Sequence, residues 1–357
     1  MQKNIFVLKE TYTIRKTEIM KILLDIVILL IGFLLLIKGA DYFVDGSVDV
    51  AKRLKIPSIV VGLTIVAIGT SLPELAVSAM SSFKGANEIA VSNVVGSNIF
   101  NILMVLGFSA IFMEIKVKKS LLRREFPLLT VLSAILIFLL ADALWFGNIV
   151  GKVNIFKFSN GSKTVGEIGT VDGILLLVLF IGFIAWTVSY AFKERTNEEE
   201  AEDIMSKGKC ALFIIGGVTA IMIGGNLVVD SAKSLALAAG MTETLVGLTV
   251  VALGTSLPEL VTSIVAARKG EADLAVGNVV GSNISNILLV LGVSAAISPV
   301  SVTMMNAIDG MVALVVTIIV FIMSGTNRTI RKKEGVFFIF VYVLYMVYII
   351  CRQYIAW

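Results

Sequence analysis

The sequence predicts an all-α polytopic membrane protein with ten transmembrane helices, arranged as two five-helix repeats of inverted topology. Composition is the first reason: of 357 residues, 57% are hydrophobic and 16% are charged, against roughly 45–50% and about 25% in soluble domains. The second reason is that the apolar runs exceed the roughly 20 residues needed to cross a bilayer. The third is an internal repeat. This composition excludes soluble enzymes, secreted disulfide scaffolds and nucleic-acid-binding proteins.

Ten apolar segments are predicted to span the membrane, and an even number of spans places both termini on the same side. In chain order the segments are 22–45, 56–83, 86–113, 125–147, 171–191, 210–235, 243–267, 273–297, 303–324 and 334–354.

The distribution of Lys and Arg predicts the orientation. The loops after the odd-numbered spans carry 18 of these residues, whereas the loops after the even-numbered spans and the C-terminal tail carry 6 when Lys233 and Arg352, at the ends of spans 6 and 10, are included. Basic loops face the cytoplasm, so both termini are expected outside a cell membrane. Five basic residues before span 1 oppose this orientation. A translation start at Met20 instead of Met1 would remove most of them, and the two starts remain alternatives.

Four regions follow from these spans. An N-terminal extension covers 1–21, a first five-helix repeat covers 22–192, and a second covers 210–357. Between them, 193–209 forms an acidic cytoplasmic linker, which we interpret as a solvated connection and not as a cation site, because its carboxylates lack the glycine and spacing of a calcium loop.

The internal repeat is the most informative feature of the sequence. Gly62–Leu75 recurs as Gly247–Leu260, and Ser92–Asn101 recurs as Gly277–Asn286, both at an offset of 185 residues. Between 62–107 and 247–292, 30 of 46 positions are identical. Because the offset contains five spans, the second copy enters the membrane in the opposite direction, which is the architecture of many secondary transporters.

Two carboxylates occupy equivalent positions of the repeat inside apolar segments. They are Glu74 and Glu259, and each directly follows a proline, Pro73 or Pro258. A charged side chain in this setting costs at least about 2.5–3.5 kcal/mol, and proline removes a helical hydrogen bond one turn earlier. Helix packing alone does not explain these glutamates, so they are predicted to be functional.

Further oxygen-bearing side chains lie at helical spacing around the two glutamates. Thr70 and Ser71 precede Glu74 by four and three residues, and the second repeat copies this spacing. The sequence contains no histidine, and its two cysteines are interpreted as apolar fillers. Oxygen ligands with net negative charge favour a hard cation such as Ca²⁺ or Na⁺. The remaining candidates are Thr255, Ser256, Ser97, Ser282, Asn101 and Asn286.

The two copies of Gly-Thr-Ser-Leu-Pro-Glu and Gly-Ser-Asn-x-x-Asn closely resemble the alpha repeats of the calcium/cation antiporter superfamily, and most closely those of the prokaryotic sodium/calcium exchangers. The resemblance implies Na⁺-driven Ca²⁺ transport, with both ions competing for one central cluster. It places the acidic ligands on Glu74 and Glu259 and the amide ligands on Asn101 and Asn286. The implied hydroxyl ligands are Thr70, Ser71, Ser97, Thr255, Ser256 and Ser282, and the implied carbonyl ligands are Ala67 and Ala252.

One position departs from part of this superfamily. Potassium-dependent exchangers have an aspartate where this chain has Asn286, so the amide argues against K⁺ co-transport. A proton-coupled cation antiporter, a K⁺-dependent exchanger, a channel and an intramembrane hydrolase remain as alternatives to Na⁺/Ca²⁺ exchange. No cofactor and no nucleic acid is expected; the partners are the two ions and the lipid bilayer, and the chain is expected to be a monomer.

Two expectations concern the mechanism. Spans 1 and 6 are predicted to slide across the bundle formed by the other eight. Asp41 and Asp45 lie near the end of span 1, with Asn226 and Asp230 as their counterparts in the repeat. These side chains either guide cations toward the site or cap helix ends at the membrane interface, and we favour the second interpretation.

Overall fold

A computed structural model of the chain describes residues 2–85, 88–140, 164–193, 204–241 and 252–355. Within these ranges the protein is helical, apart from two short two-stranded sheets. The first half contains these elements: α1 (Gln2–Leu54), α2 (Ser58–Val61), a π-helical turn (Gly62–Val66), α3 (Ala67–Thr70), α4 (Leu72–Phe83), α5 (Glu88–Phe100), a second π turn (Asn101–Val105), α6 (Leu106–Phe112), β1 (Ile115–Lys116), α7 (Lys119–Arg123), α8 (Glu125–Leu140), β2 (Thr164–Ile168) and α9 (Thr170–Lys193).

The second half repeats much of this order. Its elements are α10 (Lys207–Ala238), α11 (Ala252–Gly254), α12 (Leu257–Arg268), α13 (Ala272–Ser285), a third π turn (Asn286–Val290), α14 (Leu291–Ile297), β3 (Val300–Thr303), α15 (Met304–Asn327), β4 (Thr329–Ile330) and α16 (Lys332–Ile355).

The described residues contain seven helices long and apolar enough to cross a membrane, and an eighth span if α2–α4 counts as one bent helix. Each of these coincides with a predicted span. The other two predicted spans, 125–147 and 243–267, lie partly outside the described residues. The helical polytopic membrane fold is therefore confirmed, while the total of ten stays a prediction. The seven are Ile19–Leu54, Glu88–Phe112, Thr170–Lys193, Lys207–Ala238, Ala272–Ile297, Met304–Thr326 and Lys332–Arg352.

Two of these spans form the centre of the bundle. In Glu88–Phe112 and Ala272–Ile297, 78% of the most apolar 18-residue stretch is buried inside the protein, whereas the corresponding share in the other five spans is 11–39%. The second repeat motif lies on these two spans. Because other helices surround both spans, most of their apolar side chains contact protein and not lipid. The peripheral spans expose long apolar side chains as a lipid-facing surface requires.

The first repeat motif lies on a helix that is interrupted twice. The π turn Gly62–Val66 precedes α3, and α4 leaves at 46° to the first part of the span. Ser71 joins α3 to α4 with φ −83° and ψ 6°, outside the helical range, and Pro73 lies in the first turn of α4. Ser256 adopts almost the same angles, φ −93° and ψ 6°, before α12. Proline thus starts a new helix at the same point of both repeats.

Two short antiparallel sheets connect loops at the ends of the spans. β1 pairs with β4, with Ile115 opposite Ile330 and Lys116 opposite Thr329. β2 pairs with β3, with Ile168 opposite Val300. Since β1 and β3 each follow a central span directly, both sheets tie the central spans to the outer helices.

Helices α1 and α10 cross as a closely packed antiparallel pair. A Cβ atom placed on Gly39 would lie 2.9 Å from the carbonyl oxygen of Gly217, and one on Gly32 would lie 3.0 Å from that of Gly224. As the residue numbers rise along α1 they fall along α10, so the helices run in opposite directions. Small residues at such positions let the two backbones approach each other.

This packing predicts opposite effects for two adjacent glycines of α10. A Cβ on Gly217 would lie 2.8 Å from both the Gly39 carbonyl oxygen and Phe43, whereas a Cβ on Gly216 meets nothing within 4 Å. Gly217→Ala should therefore destabilise the protein by about 1–3 kcal/mol through overpacking. Gly216→Ala should be neutral or stabilising by up to about 1 kcal/mol, because alanine favours a helix. Thermal unfolding in detergent measures both; equal midpoints for the two variants would contradict this packing.

Candidate cation-binding site

The interrupted helices place both repeat glutamates in the protein interior. Glu74 and Glu259 are each 0% exposed, and each lies in the first turn of its helix, α4 or α12. The amino-terminal turn of a helix favours a negative charge, because its backbone N–H groups are unpaired and the helix dipole is positive there. Breaking the span at proline therefore creates a local environment for a buried carboxylate.

Each glutamate is held by a serine of the other repeat. Ser71 Oγ donates to Glu259 Oε1 at 3.0 Å, and Ser256 Oγ donates to Glu74 Oε1 at the same distance. Ser97 Oγ lies 2.9 Å from Ser256 Oγ. The first turns of α4 and α12 therefore face each other, and the two carboxylates belong to one cluster.

A second group of predicted ligands lies beside Glu259. Ser282 Oγ is 3.4 Å from the carbonyl oxygen of Ala67 and 3.5 Å from Thr70 Oγ1. Thr70, Ser97 and Ser282 are all buried. Predicted ligands from the broken helix of the first repeat thus meet a serine of the central helix α13. Of Ala252, the structure describes only that it is the first residue of α11.

Two asparagines that the sequence reasoning missed hold the threonines of the site. Thr70 Oγ1 donates to Asn278 Oδ1 at 3.1 Å, and Thr255 Oγ1 donates to Asn93 Oδ1 at 3.3 Å. Their amide nitrogens hold the helices that bear the glutamates: Asn278 Nδ2 lies 3.5 Å from the Glu259 carbonyl oxygen and Asn93 Nδ2 lies 3.3 Å from that of Glu74.

The same amides also donate to serines one turn beyond the glutamates. Asn93 Nδ2 donates to Ser78 Oγ and Asn278 Nδ2 to Ser263 Oγ, both at 2.9 Å. Each asparagine therefore fixes a threonine from one repeat relative to a glutamate-bearing helix of the other. The available signal was that Asn93 and Asn278 occupy the same position in the two copies; helical spacing within one helix could not reveal it.

The predicted amide ligands begin the π turns of the two central spans. Asn101 and Asn286 are each 0% exposed and open Asn101–Val105 and Asn286–Val290. Asn286 Nδ2 donates to Asn98 Oδ1 at 3.1 Å, which leaves its oxygen free to face another partner. Asn101 makes no side-chain hydrogen bond within the described residues. π turns inside α-helices are frequent at functional sites.

Four buried oxygen atoms of the predicted carboxylate and amide ligands have no hydrogen-bond partner within the described part of the chain. A carboxylate oxygen buried without a donor is strongly unfavourable, so these atoms fit a cation that binds to them. Cys210 and Cys351 are far along the chain from the motif residues, and the described residues contain no group of three or more acidic, thiol or imidazole side chains that could hold a metal. The four atoms are Glu74 Oε2, Glu259 Oε2, Asn101 Oδ1 and Asn286 Oδ1.

The arrangement can therefore bind a hard cation through oxygen atoms only. Its formal charge comes from two carboxylates, which balance one divalent or two monovalent cations. Neutral hydroxyl, amide and carbonyl oxygens complete such a coordination shell for Ca²⁺. The structure brings most predicted ligands into one buried region, and their role as ligands remains a prediction.

Known proteins are similar to this chain over nearly its whole length. The family model described as sodium/calcium exchanger protein matches residues 24–189 and 209–351. The sodium/calcium exchanger MaX1 of Methanosarcina acetivorans is 34% identical over 352 residues, covering 91% of this chain and 98% of the relative. The inner membrane protein YrbG of Escherichia coli is 36% identical over 324 residues, covering 88% and 92%.

A solved structure is similar as well. The sodium-calcium exchanger NCX_Mj, soaked with 2.5 mM Na⁺ and 10 mM Sr²⁺, superposes with a TM-score of 0.74 at 31% sequence identity. The match covers 91% of this chain and 99% of that chain.

The serines that cross between the repeats lead to a test with matched controls. Ser71→Ala and Ser256→Ala each remove a hydroxyl that donates to a buried carboxylate. Ser109→Ala and Ser294→Ala remove hydroxyls that bond only to their own helix, at Val105 and Val290. A hydrogen bond to a charged group contributes roughly 1.5–3 kcal/mol, so the first pair should change cation affinity by about tenfold or more.

Equilibrium binding of radiolabelled Ca²⁺ to the purified variants measures this change. The control pair should stay within about twofold of the parent protein. Equal effects of all four substitutions would contradict the assignment of the two crossing serines to the site.

Proposed function

We propose that this chain, which belongs to the sodium/calcium exchanger family, exchanges Na⁺ for Ca²⁺ across the cell membrane as a secondary active antiporter. The family is one of transporters, and we infer that the chain has no enzymatic activity. Ca²⁺ and Na⁺ are its substrates, and the lipid bilayer is its environment.

The observation that carries this proposal is the pair of fully buried glutamates, each with one oxygen that has no hydrogen-bond partner in the described part of the chain. Ca²⁺ bound between Glu74 and Glu259 would neutralise both carboxylates. Several Na⁺ ions would replace it by sharing the same carboxylates with the surrounding hydroxyl, amide and carbonyl oxygens. Competition for one set of oxygens is sufficient to couple the two ions, because the site cannot hold both loads at once.

Alternating access would follow from the internal repeat. Hydrogen bonds in the site occur in pairs whose members are related by 185 residues, such as Ser71–Glu259 with Ser256–Glu74 and Asn93–Ser78 with Asn278–Ser263. Two inverted five-helix repeats would place a near-symmetric site at their interface. The proposed motion is a slide of α1 and α10 across the remaining helices, which opens the site to one side and then to the other.

The energy of the ion-free site would enforce exchange. Without a cation, two like-charged carboxylates would face each other in a low dielectric, where their repulsion is large. Movement of the unloaded site would then be slow compared with movement of the loaded site. An exchanger needs this difference, since free return of the empty site would let Ca²⁺ run down its gradient uncoupled.

Orientation and span number belong to the same proposal. We propose ten spans with both termini outside the cell, as the distribution of Lys and Arg indicates. The K⁺-independent form of exchange is favoured by Asn286, whose amide donates to Asn98 and adds no third charge to the site.

Neutralising one central carboxylate should stop transport. Glu74→Gln and Glu259→Gln each remove half of the formal charge of the site while keeping its volume. Breaking a buried charge arrangement costs about 3–5 kcal/mol, so Na⁺-dependent Ca²⁺ uptake should fall at least about 100-fold. Glu114→Gln is the matched control, because Glu114 is exposed and pairs with Arg331 outside the site. Full Ca²⁺ flux in either Glu74→Gln or Glu259→Gln would contradict the proposed role of these two carboxylates in transport.

The coupling ion can be tested in proteoliposomes. Vesicles loaded with Na⁺ and diluted into Na⁺-free buffer should take up radiolabelled Ca²⁺, and added K⁺ should change neither the rate nor the extent. Uptake that is indifferent to Na⁺ but driven by a pH gradient would replace this proposal with a proton-coupled antiporter. Uptake that requires K⁺ would assign the K⁺-dependent type and show that an amide at position 286 is compatible with it.

A further inference from the structure

Lys269 forms an ionic bridge between two helices outside the cation-binding site. It directly follows α12, and its Nζ atom lies 2.6 Å from Asp41 Oδ1 and 2.6 Å from Asp45 Oδ1 of α1. It also donates to the Asp41 carbonyl oxygen at 3.0 Å. Burial lowers the pKa of Lys269, but the two carboxylates outweigh burial and hold that pKa above its usual range.

Asp41 and Asp45 lie within α1, which continues to Leu54, so the expectation that they cap a helix end is wrong. Both side chains bind one lysine of the other repeat, and the alternative expectation, that they guide cations toward the site, stays a prediction. The bridge connects α1, which we propose to slide, with the end of α12, the helix whose first turn contains Glu259. It therefore lies where a movement of α1 would have to break it.

The repeat places an equivalent set of residues at the opposite end of the bundle. Lys84 is the counterpart of Lys269, and the residues 185 positions after Asp41 and Asp45 are Asn226 and Asp230. The α2–α4 span starts just after α1 ends, and Lys84 directly follows α4 at the other end of this span. Lys84 therefore lies at the opposite end of the bundle from the C-terminus of α1.

Asp230 lies at that same opposite end. It is on α10, which runs antiparallel to α1, and nearby Ser234 Oγ donates to Asp25 Oδ2 at 2.6 Å, near the beginning of the first span. Lys84, Asn226 and Asp230 are all exposed, and within the described residues none of them takes part in an ion pair. Within the described ranges, one end of the bundle is thus bridged by an ion pair, and the equivalent end shows no such pair.

We propose that Lys269 and Lys84 are alternating latches: the Lys269–Asp41–Asp45 bridge keeps one entrance of the cation site closed, and a Lys84–Asp230 bridge forms when the opposite entrance closes. This rests on the proposed function, because it requires a site that opens alternately to the two sides of the membrane. It assigns a role in access to five charged residues outside the cation site: Lys269, Asp41, Asp45, Lys84 and Asp230.

The two latches differ in strength, and the difference follows from one substitution between the repeats. Lys269 meets two carboxylates, whereas Lys84 would meet one, since position 226 is an asparagine. Exposed ion pairs contribute little individually, but one additional carboxylate in a shared bridge is sufficient to shift a two-state equilibrium several-fold. The state with the Lys269 latch closed is therefore the more populated one.

Hydrogen–deuterium exchange of the purified, ion-free protein tests the proposal, because exchange reports local opening without requiring transport. In Lys269→Gln, amides of 45–54 should exchange faster and amides of 78–85 and 226–238 slower. We expect changes of about threefold to tenfold, the range given by one or two exposed ion pairs. Lys84→Gln alone should have little effect, but in the Lys269→Gln background it should reverse the slowing at the opposite end.

Three variants serve as controls. Arg331→Gln breaks a more exposed ion pair, with Glu114, that belongs to neither latch, and it should leave both ends unchanged. Lys269→Arg keeps the positive charge and should resemble the parent protein. Asn226→Asp adds the missing carboxylate to the second latch and should shift exchange in the same direction as Lys269→Gln. Matching thermal midpoints for all variants would show that they fold.

The results separate the latch from the proposed function. Faster exchange limited to 45–54, with no change at the opposite end, would mean that Lys269 only braces α1 locally and would overturn the proposal. No change at either end would overturn it too. Reciprocal exchange in a protein that fails to move Ca²⁺ against Na⁺ would support the latches and reject the assigned ions.

Discussion

The structure depends on keeping two carboxylates at the centre of an apolar bundle. Glu74 and Glu259 are fully buried, and a charge in that position is tolerated only with compensating partners. In each repeat one helix ends and a new helix begins just before the glutamate, so that the carboxylate lies in a first helical turn. A serine of the opposite repeat then donates a hydrogen bond to each carboxylate. One oxygen of each carboxylate has no hydrogen-bond partner among the residues that the structure describes, and a cation can bind to these two oxygens.

The partners of the glutamates come from the other repeat, so neither half can build the site alone. Asn278 of α13 holds Thr70 of the first repeat, and Asn93 of α5 holds Thr255 of the second. Both central helices are almost wholly buried, which makes their backbone a rigid frame. The broken helices attach to that frame through these amides and through close approach, with Gly62 and Gly277 so near that an added Cβ on Gly62 would lie 3.0 Å from the Gly277 Cα. Buried central helices and a glycine-packed α1–α10 pair are the two parts that the proposed sliding motion requires.

The sequence predicted the features that are encoded locally. The apolar runs predicted the seven spans that the described residues contain and the bent α2–α4 helix. The repeat predicted that Glu74 and Glu259 are equivalent, and the motif resemblance predicted the family, which the comparisons confirm. Contacts between distant segments were not predictable in this way. Asn93 and Asn278 act across the repeats, and spacing along one helix cannot show a partner 162 or 208 residues away. The same limit applied to Asp41 and Asp45, whose partner Lys269 is 228 and 224 positions distant.

If the proposed alternating access holds, near-symmetry between the repeats with small departures would let one fold favour one orientation and still reverse. Identical repeats would give two end states of equal energy, because each contact in one state would have its counterpart in the other. In this chain the copies differ at the periphery, where Asp41 corresponds to Asn226, whereas Glu74, Ser71 and Thr70 are matched by identical residues in the second copy. In the proposed cycle, a bias introduced far from the ions would change the population of the end states and leave the predicted ion ligands equivalent. Divergence of charge at the helix ends would therefore set the resting orientation of the site independently of what it binds.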